Sequence, residues 1–366
     1  MTSATPSPAA GSASGTAAGT ASGSAAGTAS GPAAKKASAA DVARHAGVSM
    51  QTVSRVARDL ENVQPATRDR VRASMVELGY SPNRAARALR SGRFHTIGVI
   101  MFTLSSFGNT KFLEAIAEAA GLVGYTITLL PVSQRTRGEV TGAIARLSEQ
   151  AVDGVVIVIE ADLLSEDDVD LPADVPVVII DSSRLSERPF IDTDQALGAR
   201  LATQHLLDLG HETVWHIAGP QTFYAARRRE AAWREVLESH GREVPPPFTG
   251  DWSTGSGYRA GLEIARRPDI TAVFVANDGM ALGLLRACHE LGREVPSTLS
   301  IVGFDDMTES ESFWPPLTTI HQHFDEVGRS SVAMLVAQIE RTTPTPVTMV
   351  PVDLVVRAST APPPGV

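Results

Sequence analysis

Cysteine is all but absent from this chain: Cys288 is the only one in 366 residues. It has no intramolecular disulfide partner, and its place in the apolar, helix-like run 281–291 makes it a small buried hydrophobe of a reducing compartment rather than a reactive thiol. No apolar run reaches the roughly 20 residues that span a bilayer. The N-terminus also lacks the basic patch and continuous apolar stretch of a secretory signal, so the expected location is the cytoplasm, away from membranes. Catalytic signatures are missing as well. There is no Gly-x-Ser-x-Gly elbow, no His-Glu-x-x-His, no phosphate-binding loop and no cysteine pair, so neither an enzymatic activity nor a cofactor is expected.

Charge is unevenly spread. Residues 1–34 carry none, and beyond Met1 they hold no large apolar side chain, which makes residues 1–37 a disordered Ala/Gly/Ser-rich tail. The net charge of -9 argues, by itself, against nucleic acid. Residues 35–93, however, hold 12 Lys/Arg against 5 Asp/Glu, a net of +7, which leaves -16 for residues 94–366. A basic head ahead of an acidic body suits DNA binding, because counterion release rewards the head while the body is repelled by phosphates.

In the head, Val42, Ala43, Ala46, Val53, Val56, Val71, Met75 and Leu78 recur at three- and four-residue spacing, which predicts three short helices. Gly47 supplies the positive φ that ends the first, Ser49 caps the second, and Val48, Val53 and Val56 pack the two together as a helix-turn-helix. Met50, Gln51 and Arg55 are left facing outward. Gln matches adenine, Arg matches guanine, and Met50 offers apolar contact, for instance to a thymine methyl. Pro65 opens the third helix, which runs through Leu78 before Gly79 breaks it.

The stretches DVARHAGVSMQTVSRV (41–56), ATRDRV (66–71) and LGYSPNRAARAL (78–89) resemble the DNA-binding head of the LacI/GalR family of transcriptional regulators. The resemblance implies a helix-turn-helix domain over 38–82 and a hinge helix and linker over 83–93. DNA contacts are then expected from Ser49, Met50, Gln51, Thr52, Ser54 and Arg55, and from Asn83, Arg84, Ala86, Arg87 and Leu89 in a hinge that folds on the operator with Leu89 wedged in the minor groove. The chain departs from the family at Arg58-Asp-Leu60, where Asn or Asn-Gly is common, and at Gln64, where Ser is usual. These leave the loop conformation and the strength of the third helix's cap open.

Beyond residue 96, short apolar runs (97–101, 155–159, 177–180, 272–276) alternate with amphipathic helical stretches, the βαβ rhythm of parallel sheets covered on both faces. Polar residues follow these runs at once: Asp181, Asn277-Asp278 and Asp305-Asp306 stand where ligands gather in open parallel sheets. The resemblance continues through LGHETVWHIAGP (209–220), VFVANDGMALG (273–283), IVGFDD (301–306) and PPLTTI (315–320). It implies a two-lobed, periplasmic-binding-protein-like α/β body over 94–357, used for effector binding and dimerisation. Crossovers are expected near Thr193, from Ile320 to Phe324 and near Val352, and a flexible tail over 358–366. The expected pocket is Asp181, Arg229, Trp252, Asn277 and Asp305, with Phe324 as a wall and Phe102 narrowing the mouth. Asp278 is expected to cap the following helix, while Asp306 stands evenly between the two roles. His321 and His323 would share a strand face, but they fall within a crossover, so no metal is expected.

Together with the resemblance, these features lead to the expectation of a small all-α head on an α/β body, and of a homodimeric repressor released from a palindromic operator by a small sugar. DWSTGSG (251–257) is similar to galactoside-responsive members, which points to a galactoside or another β-linked sugar. Two alternatives stay open: a corepressor-dependent regulator binding a purine or phosphorylated metabolite, and a sugar-binding transport protein.

Overall fold

The computed structural model describes residues 37–57, 60, 62–81, 92–104, 106–132, 137–150, 152–158, 175–180, 190–342 and 348–365, and the chain divides into two compact units at Asn83/Arg84. The smaller unit is three helices. In α1 (Ala39–Ala46) the Ser38 hydroxyl accepts from the Asp41 amide, and the Asp41 carboxylate accepts in return from Ser38 N at 2.9 Å. Gly47 ends the helix at φ 63°, a left-handed conformation that costs an L side chain strain. Ser49 caps α2 (Met50–Val56), accepting from Thr52 N at 3.1 Å. At α3 (Pro65–Glu77) Gln64 makes no capping hydrogen bond, and Pro65 instead removes an amide that would have had no intrahelical partner. Val42, Val53, Val56, Val63 and Val71 close the core, with Met75 and Leu78 packed against it. The unusual loop is tied down at Leu60, whose carbonyl accepts from Arg68 at 2.7 Å; Arg58 and Asp59 lie outside the described residues.

The larger unit has two lobes. In the first, β1 (Thr96–Met101), β2 (Thr126–Pro131), β3 (Gly154–Val158), β4 (Val177–Ile180), β5 (Phe190–Thr193) and β11 (Thr348–Val350) form a parallel sheet in the order β11-β5-β4-β3-β1-β2. Helices cover both faces, so alternate residues of one strand enter different cores. Ile97, Val99 and Met101 meet α4 (Phe107–Leu122) and α10 (Phe324–Ile339), whereas Ile100 and Phe102 meet α5 (Arg137–Glu149). Burial on both sides is why these strands read as unbroken apolar runs.

The second lobe is the parallel sheet β7-β6-β8-β9, built from β6 (Trp215–Ala218), β7 (Phe248–Thr249), β8 (Ala272–Val275) and β9 (Ser300–Val302). One face packs on α6 (Gln195–Asp208) and α7 (Tyr224–Ser239), the other on α8 (Thr254–Ile264) and α9 (Asp278–Glu290). Helices α8 and α9 touch backbone to backbone. A Cβ on Gly283 would lie 2.0 Å from Thr254 O, and one on Gly257 2.0 Å from Met280 O, so neither site admits any larger residue.

Three segments join the lobes: the step from β5 into α6, the step from β10 (Thr319–Gln322) into α10, and the step from β11 into β12 (Val352–Val355). They are stitched together. Strands β10 and β12 pair antiparallel with Gln322 opposite Val352, and Asp194 N donates to Val350 O at 2.9 Å.

One expectation fails here. The residues after 357, expected as a flexible tail, lie along β9, the edge strand of the second sheet: Ile301 N donates to Ser359 O at 2.8 Å, and Ser359 is fully buried. An uncovered edge would leave ladder amides unpaired; this segment satisfies that of Ile301, and Thr318 O accepts from the next, Gly303 N, at 2.8 Å. Cys288 is buried as expected, and burial pushes its thiol pKa up to about 11.

His216 on β6 has no exposure and lies between the rings of Trp233 (5.1 Å) and Phe274 (4.7 Å), its Nδ1–H donating to Phe274 O at 2.9 Å. Burial pulls its pKa from 6.5 down to about 4. The imidazole therefore stays neutral in the folded chain while the unfolded chain takes up a proton below 6.5, so stability drains as pH falls from 6.5 towards 4. A His216→Phe variant escapes this. Relative to the parent it should gain about 2–3 kcal/mol between pH 7 and 4.5 in urea melts; an identical difference at both pH values would contradict the buried neutral ring.

Candidate functional site

On the smaller unit, the face of α2 opposite Val53 and Val56 is open. Met50 is 58% exposed and Gln51 is exposed, while Thr52, Ser54 and Arg55 are half-buried. Ser49 and Thr52 are joined hydroxyl to hydroxyl at 2.9 Å. These six share one short helix and its cap, as expected. Asn83, Arg84, Ala86, Arg87 and Leu89 lie outside the described residues.

On the larger unit, a cavity of about 570 Å³ opens between the lobes. Its centre is Arg229 of α7, only 4% exposed. The guanidinium stacks on the Phe304 ring at 3.6 Å, Nε donates to Gln195 Oε1 at 2.8 Å, NH1 donates to the Ala276 carbonyl, and NH2 stands 3.8 Å from Asp305 Oδ1. Asp305 also accepts from Gln322 Nε2 at 2.7 Å, and Gln195 Nε2 donates to Gln322 Oε1 at 3.3 Å. A charge taken so far from water persists only with such partners.

Trp252 forms a wall of the cavity. Its indole lies across Gly219, where a Cβ would come within 2.3 Å of the ring, and the Phe223 ring meets its edge at 5.7 Å. Trp252 holds φ 71° and Asp305 φ 116°, both strained for side chains of this size or shape, and both line the cavity. Asn277 lines it too, but its amide is already engaged: Oδ1 accepts from Met280 N at 2.8 Å to cap α9, and Nδ2 donates to Trp252 O at 3.1 Å. From the first lobe come Phe324, Phe107 and Phe112, with Phe324 in edge contact with the other two rings at 5.9 and 5.0 Å.

The cavity thus gathers Arg229, Trp252, Asn277, Asp305 and Phe324. Asp181 lies outside the described residues. Phe102 does not line the cavity; it sits in the core with Val132, Ile144 and Leu147, because the alternation that sends Met101 to one face of the sheet sends Phe102 to the other. The expected cap is also displaced by one residue. Asn277, not Asp278, caps α9, and the buried Asp278 carboxylate accepts from Met307 N at 2.9 Å and from the Ser310 and Thr319 hydroxyls at 2.6 Å each. Burial outweighs those donors and pushes its pKa up to about 6. Asp306 is committed to structure, bound to Arg357 at 2.7 Å and His321 at 2.9 Å, and His323 pairs with Asp353 at 2.8 Å. Among the described residues no group of three metal-ligating side chains occurs. Gln195, Gln322, Phe107, Phe112 and Phe223 went unread in the sequence; the two glutamines flank the lobe crossovers, and that placement was the one available signal.

A model of bacterial regulatory proteins of the lacI family matches residues 39–83, and one of a periplasmic binding protein-like domain matches 203–360. The lactose operon repressor of Escherichia coli (strain K12) is 35% identical over 327 residues, 88% of this chain and 90% of the repressor. The crystal structure of the lac repressor dimer bound to operator and the anti-inducer ONPF superposes with a TM-score of 0.79 at 34% identity, covering 89% of this chain and all of that one. The complex of the transcriptional regulator CelR with cellobiose gives 0.66 at 32% identity, over 88% of this chain and 99% of CelR. With an exposed helix-turn-helix face on one unit and an effector-sized cavity in the other, this chain belongs to the lacI family of DNA-binding transcriptional regulators.

Proposed function

We propose that the chain is a homodimeric repressor, acting in the cytoplasm, that leaves a near-palindromic operator when a small sugar enters the interlobe cavity. The observation that carries this is the pairing, in one cavity, of a flat indole with a guanidinium and a carboxylate set 3.8 Å apart. That separation exceeds a hydrogen bond, and a hydroxyl standing beside the pair, within reach of both, accepts from Arg229 and donates to Asp305. Trp252 offers its face to the C–H side of a pyranose, Asn277 adds an amide, and Phe324 bounds the other side. Nothing in this set activates a nucleophile, which supports binding without turnover. Relatives named for lactose and bound to cellobiose support a galactoside or another β-linked sugar.

On DNA, Gln51 and Arg55 read base edges, Met50 adds apolar contact, and Ser49, Thr52 and Ser54 bind phosphates beside them. Asn83, Arg84, Ala86 and Arg87 follow the backbone into the minor groove, where Leu89 wedges the duplex. One head buries too little surface for tight binding, so two act across a dyad. The sugar releases DNA only through unequal affinity for two body conformations.

Selection from a random-sequence duplex library should recover a near-palindrome, and a thermal-shift screen with lactose, cellobiose and methyl β-galactoside should raise the melting temperature. No enriched palindrome would end the repressor reading; a sugar that tightens the complex would make it a corepressor. Arg55→Ala should cost about 1–3 kcal/mol on the selected duplex with little loss on random DNA, whereas equal losses on both would remove it from base reading. Arg229→Ala should lose the sugar-induced thermal shift and leave the complex undissociated by sugar in gel shifts; a normal response would take it out of the pocket.

A further inference from the structure

Gln195 and Gln322 stand out because of what they join. Each is 4% exposed. Gln195 is the first residue of α6, two beyond the end of β5 in the first lobe, and Gln322 is the last residue of β10, two before α10 returns to the first lobe. Each glutamine thus sits in the second lobe beside one crossover, and their side chains meet amide to amide at 3.3 Å. Each also bonds one member of the charged pair of the cavity: Gln195 Oε1 accepts from Arg229 Nε at 2.8 Å, and Gln322 Nε2 donates to Asp305 Oδ1 at 2.7 Å. Through Gln322, opposite Val352, the third crossover is attached to the same group.

This is a closed ring of four side chains, Arg229–Gln195–Gln322–Asp305, whose loosest side is the 3.8 Å gap between guanidinium and carboxylate. A buried amide is costly to leave unpaired, so neither glutamine drifts from its charged partner without breaking its bond to the other. A group that bridges the two from the cavity and pulls Arg229 and Asp305 into new positions must therefore move both crossovers together. We infer that the Gln195–Gln322 amide pair is a positioning relay that converts occupancy of the cavity into a change of the interlobe angle. The inference rests on the effector reading above for its trigger, but not for its mechanics.

The test separates the two. Spin labels at Leu122→Cys on α4 and Arg286→Cys on α9 report the interlobe distance in the full chain; those side chains are 78% and 70% exposed, and the native Cys288 is buried. Gln195→Leu, Gln322→Leu and the double variant should shift or broaden the distance distribution alike, by roughly 3 Å or more, as two halves of one hinge element do. Gln195→Glu keeps the acceptor for Arg229 but not the donor to Gln322, and it should match them. Melting temperatures report any merely structural loss, which would lower them without moving the distances. Lactose and cellobiose are the probes for coupling: in the parent, a sugar that binds should weaken the selected palindromic duplex at least about tenfold, and in the variants this ratio should fall below about threefold. Distances unchanged in every variant, or a double variant whose shift is the sum of the singles, would overturn the relay. So would weaker sugar binding with the ratio intact, which would make the glutamines plain ligand contacts. If neither sugar binds the parent while the variants still move the lobes, the sugar reading fails and the relay stands.

Discussion

A guanidinium that water scarcely reaches organises the second lobe. Burying a full positive charge costs several kcal/mol unless carbonyls, carboxylates and π faces replace the lost hydration. Arg229 meets that demand with groups from three different places: the first turn of α6, the residue after β8, and the turn after β9, which supplies both Asp305 and the ring of Phe304. Every partner is thereby fixed relative to the others. The geometry of the cavity, the strain at Asp305 and the alignment of the two glutamines are consequences of solvating one cation without water.

Strained backbone is found at the same point. Trp252 and Asp305 both hold left-handed backbone and both line the cavity, and Trp252 is kept there by a glycine beneath its ring and by the Asn277 amide on its carbonyl. Such conformations persist where the surroundings over-determine them. The first lobe contributes the opposite character, with the Phe107 and Phe112 rings each in edge contact with Phe324 at the cavity wall. A ligand between the lobes therefore meets a polar, tightly wired side and an apolar side.

The head works by different physics. Its three helices are held by a core built mainly of valine, with reciprocal capping at Ser38 and Asp41 doing for α1 what a larger core would otherwise do. Its charge is opposite in sign to that of the body, +7 over residues 35–93 against -16 over 94–366. Phosphate attraction is thereby confined to the head, while the acidic body is repelled by nucleic acid.

Much of this was legible residue by residue. Gly47, Ser49 and Pro65 declared the helix boundaries of the head, since each answers a local backbone requirement that a few neighbouring residues define. Double-sided burial wrote itself into the apolar runs, and polar residues at their ends marked the cavity. What the sequence left undetermined shares one cause. Phe102 and Met101 are equally apolar neighbours, and only the sheet's pleat assigns them to different cores; Asn277 and Asp278 are equally good caps, and only the donors of Met307, Ser310 and Thr319 claim the second. The segment after 357 has the composition of a loose end until an unpaired strand edge gives its amides and carbonyls partners. Local chemistry thus settled which elements form and which residue types can bind. The three-dimensional packing decided which of those residues face the ligand, because partners far apart in sequence, such as Gln195 and Gln322, acquire a shared role only when the chain returns across the lobes.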